Sequence, residues 1–78
     1  MQKDIFQDIF YMQILNAGMT PIQARYIAYK LEKSEEQNIN SIDRKGKYFI
    51  IDCTKRIYKV TPLNLDIPAT PIEIIKEK

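Results

Sequence analysis

The stretch Thr20–Lys33, TPIQARYIAYKLEK, decides how the rest of this chain must be arranged. Thr20 is placed to cap a helix, and Pro21 suits its first position because no N–H is needed there. Gln23 completes a capping box by reaching back to the Thr20 amide. At about 100° per residue, Ala24, Ile27, Ala28 and Leu31 share one face. Ile22, Tyr26 and Tyr29 fall nearly opposite, on the same stripe as Lys33, with Arg25, Gln23, Lys30 and Glu32 on the flanks. A helix with two opposed apolar stripes must bury both or offer one to a partner.

Upstream, residues 3 to 17 read as a first helix. Ile5, Ile9 and Met12 share a side, and Tyr11, Ile14 and Leu15 carry apolar surface almost round the cylinder. Gly18 is a natural left-handed terminator, so the two helices form an αα-hairpin with a turn of about three residues. Downstream, Glu35 and Glu36 meet the negative end of the second helix dipole, which disfavours continuation. From Ile39 the apolar period changes to two. Ile39 to Asp43, Lys47 to Asp52 and Arg56 to Thr61 read as strands, with turns at Asp43-Arg44-Lys45-Gly46 and at Cys53 to Lys55. Tyr48, Phe49, Ile50 and Ile51 are apolar at consecutive positions, as in a central strand, while charges such as Lys59 mark its neighbours as edges.

The fold expected from this pattern is α+β. A helical hairpin (residues 1–37) packs on one face of a three-stranded antiparallel meander (38–61), within one small domain. Pro62, Pro68 and Pro71 make 62 to 69 an extended arm laid over the body. Thr70-Pro71-Ile72-Glu73 repeats the start of the second helix and favours a short terminal helix, against the β-branched Ile72, Ile74 and Ile75. The expected core includes Ile9, Ile27, Leu31, Phe49, Ile51 and Val60.

Seventy-eight residues leave little surplus stability, which oligomerisation or a partner supplies in many small chains. The single cysteine, Cys53, rules out an internal disulfide and reads as a small hydrophobe. Asp4 and Asp8 stand where a signal peptide would be basic, and no apolar run approaches the roughly 20 residues of a membrane span. A cytoplasmic location is expected. The fourteen isoleucines and the nine lysines against three arginines suggest an AT-rich genome, such as a low-GC bacterium or its phages and mobile elements.

The inventory also bears on catalysis. There is no histidine, so the commonest general base and metal ligand is missing. One cysteine cannot build a zinc site, and two separated glycines cannot form a phosphate-cradling loop. The carboxylate pairs Asp4/Asp8 and Glu32/Glu36 stand one helical turn apart and read as solvated helix faces. Neither an enzyme, a cofactor, a metal nor a small-molecule substrate is expected.

Two binding readings follow. A protein partner would meet Ile22, Tyr26, Tyr29 and Lys33, because tyrosine tolerates an interface with its hydroxyl wet. The same stripe would serve a homodimer, and a small regulator or inhibitor fits this size. The alternative partner is nucleic acid. Arg44, Lys45, Lys47, Lys55, Arg56 and Lys59 are set against Asp52 alone between residues 44 and 59, as a basic hairpin contacting phosphates would be. Residues 10 to 29 also resemble a helix-turn-helix unit, with Gly18 as the turn glycine and Ala24 and Ile27 as buried positions. That resemblance implies Thr20, Pro21, Ile22, Arg25, Tyr26 and Tyr29 facing the major groove. Gln13 and Ile14 depart from it, standing where an apolar and a small residue are usual.

Overall fold

A computed structural model describes residues 5–62 and 70–78, with side chains from Asp8 onward. Two helices, α1 (Ile5–Ala17) and α2 (Pro21–Lys33), precede four strands. These are β1 (Ile39–Lys45), β2 (Tyr48–Cys53), β3 (Arg56–Val60) and β4 (Ile72–Glu77). The strands form one antiparallel sheet in the order β1-β2-β3-β4, so the chain is α+β.

Local chemistry sets each helix end. The Gln23 N–H donates to Thr20 Oγ1 at 3.3 Å while the Thr20 N–H donates to Gln23 Oε1 at 3.1 Å, which is the capping box in both directions. Gly18 takes φ +120° directly after α1, a value side chains resist. At the far end of α2, the Glu35 N–H donates to the Glu32 carbonyl (3.0 Å) and the Glu36 N–H to the Leu31 carbonyl (3.1 Å). This is a Schellman turn, and it holds Glu35 at φ +62°, where glycine is the usual residue.

Strand alternation then divides the sheet into two faces. Phe49, Ile51 and Cys53 of β2 point to the helices, as do Tyr58 and Val60 of β3. They close a core with Phe10 and Ile14 of α1 and Ala24, Ile27, Ala28 and Leu31 of α2. The alanine pair on α2 lies fully buried, as close helix approach requires.

Four sequence expectations are corrected. Ile9 is 48% exposed rather than core, because the buried arc of α1 centres on Phe10 and Ile14, one turn apart, and Ile9 lies about 100° away from Phe10. Residues 72–77 form a strand, not a helix, as their β-branched isoleucines pair with β3. The sheet therefore has four strands, and β3 with Lys59 is interior instead of an edge. The first hairpin turns at Gly46 and Lys47, since Lys45 still pairs with Tyr48 and Gly46 supplies the positive φ (66°). The expected arm falls largely on residues 63–69, which lie outside the described residues.

The Glu35 backbone yields a stability test. Glu35→Gly relieves the left-handed strain and loses only an exposed contact to Lys55, at 3.3 Å. We expect a gain of about 0.5–1 kcal/mol by urea denaturation, and a loss of stability would show that the strain is not stored there.

Candidate functional site

Helical phase places the two apolar stripes of α2 unequally. Ile27, at the centre of the buried arc, has no exposure, whereas Ile22 is 41% and Tyr29 45% exposed. Both lie more than about 130° round from Ile27, on the side of α2 away from the sheet. Met12, half-exposed on α1, lies about 160° from Phe10 and so also faces away from the sheet. Lys33 extends the stripe, its Nζ 5.6 Å from the Tyr29 ring centroid. Tyr26 differs from its neighbours on the stripe. It is half-buried and packs against the core, with Lys30 Nζ 5.8 Å from its ring.

The cations are dispersed. Arg25 is drawn to α1, its guanidinium 3.8 Å from the Tyr11 centroid and 3.5 Å from Asp8, so it is held sideways along the helix pair. Arg44, Lys45 and Lys47 are exposed at the β1–β2 turn. Arg44 Nε donates back to the Gly46 carbonyl at 3.4 Å. Lys55 and Arg56 sit at the other end of β2, about 17–20 Å away along a six-residue strand. There Lys55 pairs with Glu35, and Arg56 donates from Nε to both oxygens of Glu77 at 2.9 and 3.0 Å. Lys59 projects from the helix-free face, 4.6 Å from the Tyr48 centroid. The basic segment is contiguous in sequence and divided in space.

A group that composition alone could not locate sits between α2 and the sheet. Glu36, expected with Glu32 on a solvated helix face, instead lies beyond the end of α2 with its carboxylate buried, accepting from the Lys55 N–H at 2.8 Å and the Tyr58 hydroxyl at 2.7 Å. Arg56 Nη1 lies 3.7 Å from it and donates to the Ser34 carbonyl at 3.2 Å. Every oxygen of Glu36 thus has a donor, and the cluster reads as a structural clasp. Among the described residues no group of three or more metal-ligating side chains occurs, and no helix is long and apolar enough to cross a membrane. No family model matches the chain, and neither does any curated protein or solved structure.

Cys53, the one thiol, lies fully buried on β2. Burial, reinforced by the charges of Glu36 and Asp52, pushes it from 9.0 up to about 12. Thiolate chemistry is therefore suppressed at neutral pH. Well below pH 9 the thiol is protonated in both the folded and the unfolded chain and adds no pH dependence. Between 9 and 12 the unfolded chain releases a proton that the fold retains, so stability falls as pH rises. The slope reaches at most about 1.4 kcal/mol per pH unit for this group. Burial and the Glu36 carboxylate raise Tyr58 in the same direction. Urea midpoints measured from pH 8 to 11 are expected to fall, and to fall less steeply in Cys53→Ala. Equal slopes in the two proteins would exclude the thiol as a source.

Proposed function

We propose that this chain is a small non-enzymatic binding protein that acts through protein–protein contact, with the sheet-distal face of its helices as the docking surface. The observation that carries the reading is the pair Ile22 and Tyr29, each more than two-fifths exposed on one side of α2. Met12 on α1 extends the apolar area, and Lys33 and the Asp8–Arg25 pair give it a charged rim. An apolar and aromatic centre with a polar border is the usual anatomy of a protein interface. Tyr26 serves the face from below, bracing Tyr29's helix against the core. Such a protein regulates or inhibits by occupying its target's surface, a role that suits a gene carried by a phage or other mobile element.

The divided cations favour this reading over nucleic acid. A phosphate-tracking surface needs its positive charges on one face, and Arg25, Lys55 and Arg56 already meet carboxylates. Only the turn residues Arg44, Lys45 and Lys47 remain together, three charges at one tip.

Tyr29→Glu and Ile22→Asp change exposed side chains, so both variants should melt within about 0.5 kcal/mol of the parent. Each should weaken partner binding at least about tenfold, since interface energy concentrates in such anchors. A photo-crosslinking residue at position 22 should capture a discrete protein from a low-GC bacterial lysate, and Tyr29→Glu should abolish the adduct. Capture from position 47 alone, or retardation of nucleic acid at low salt, would overturn the reading.

A further inference from the structure

Among the described residues the sheet ends in β1 and β4, each paired on one side only, and the two edges are defended differently. β1 is covered by exposed polar and charged residues and interrupted by a bulge at Asn40. β4 instead exposes Ile74 (49%) and Ile75 (48%) beside an open backbone edge. Its hydrogen-bonding groups can be assigned from both ends of the β3–β4 ladder. The Thr61 N–H donates to the Pro71 carbonyl at 3.0 Å, and the Lys78 N–H to the Lys55 carbonyl at 2.9 Å. Bonded and non-bonded pairs alternate along an antiparallel ladder. Counting inward, Glu73 and Lys76 turn their backbone groups toward β3, while Ile72, Ile74 and Glu77 turn theirs outward.

We infer that β4 is a self-pairing edge: a second copy of this chain joins it antiparallel about a two-fold axis, giving one continuous eight-stranded sheet. The register that sets Ile72 opposite Glu77 of the second copy brings outward-facing backbone groups together at both ends. It also sets Glu73 opposite the second copy's Lys76, and Ile74 opposite its Ile75. The two-fold repeats every pair, so two Glu–Lys contacts form and flank Ile74 and Ile75 of both copies at the centre of the new ladder. Strand side chains alternate in direction, and in a regular strand Glu73 and Lys76 would point to opposite faces. Here the ladder slips by one residue between Ile57 and Tyr58, so Glu73 opposes Lys59 and Lys76 opposes Ile57. Lys59 and Ile57 share the helix-free face, and Glu73 and Lys76 therefore share it too. Ile72 and Glu77 oppose Val60 and Arg56, which share the helix face. The bulge thus makes the charged pairing and the face matching compatible, and both helix layers come to lie on one side of the joined sheet.

Sedimentation of the full chain over a wide concentration range tests this. The parent should approach twice its monomer mass as concentration rises. Glu73→Lys alone, and Lys76→Glu alone, should raise the dissociation constant at least about tenfold by setting like charges opposite one another. The double variant Glu73→Lys with Lys76→Glu should restore dimerisation. A parent that stays monomeric, or a double variant no better than the singles, overturns the inference. Amide exchange provides a readout independent of any variant. The amides of Ile72, Ile74 and Glu77 should exchange more slowly in concentrated than in dilute protein, and rates independent of concentration overturn it. Tyr29→Glu should leave the dimer intact. If it dissociates the dimer while Glu73→Lys does not, self-association belongs to the helical face and not to β4.

Discussion

The buried carboxylate of Glu36 is the constraint on which the arrangement of layers depends. A carboxylate removed from water costs several kcal/mol unless donors reach it, so its position cannot drift far from those donors. Its donors come from the middle of β3 and the turn before that strand, while the residue itself follows the last turn of α2. The Schellman turn sets the direction in which Glu36 leaves the helix, which explains why Glu35 is held in a conformation that suits glycine. Arg56 carries the connection further, from the Ser34 carbonyl at the end of α2 to Glu77 on β4. Helix end, β2–β3 turn and fourth strand are thus fastened at one corner. At 3.7 Å the Arg56–Glu36 ion pair is long, and the two shorter hydrogen bonds to Glu36 hold the corner.

Much of this fold was legible from local signals. The capping box at Thr20 and Gln23, the Gly18 stop and the apolar alternation of β2 and β3 each depend on residues within one turn or one strand. These readings held because neighbouring residues decide them. The misreading of 72–77 had the opposite cause. Thr70-Pro71-Ile72-Glu73 imitates a helix start, but β3 offers an open edge that only tertiary structure reveals. With β4 in place, β3 becomes interior and Lys59 loses its meaning as an edge charge. Ile9 failed for a subtler reason, since α1 is apolar nearly all round and periodicity cannot choose its buried arc.

The candidate face was legible in part. Opposed stripes on α2 pointed to Ile22 and Tyr29, and both are exposed. Tyr26 belongs to the same stripe in sequence, yet it leans toward the core, because a stripe spanning some 60° of arc crosses the boundary between covered and open helix. Charge was the least legible feature. Linear clustering suggested one basic surface, whereas a hairpin sends the ends of each strand to opposite ends of the sheet. Glu36 gave no signal of burial, because nothing local distinguishes a clasping carboxylate from a solvated one.

The order of elements along the chain has a kinetic consequence. α1 lies against α2, and β1 through β4 lie side by side in the order they occur. Helix–helix and strand–strand pairings therefore form between elements adjacent in sequence, and such pairings lose little loop entropy before contacts reward them, whereas the helix–sheet core closes over longer separations. Helical and β hairpins of this size close in microseconds, after which Glu36 need only find a turn 19 residues away. The interval in which the isoleucine-rich strands stand open to foreign chains is short. That favours reaching the native state at high concentration without assistance, for a chain whose strands would aggregate if they waited longer.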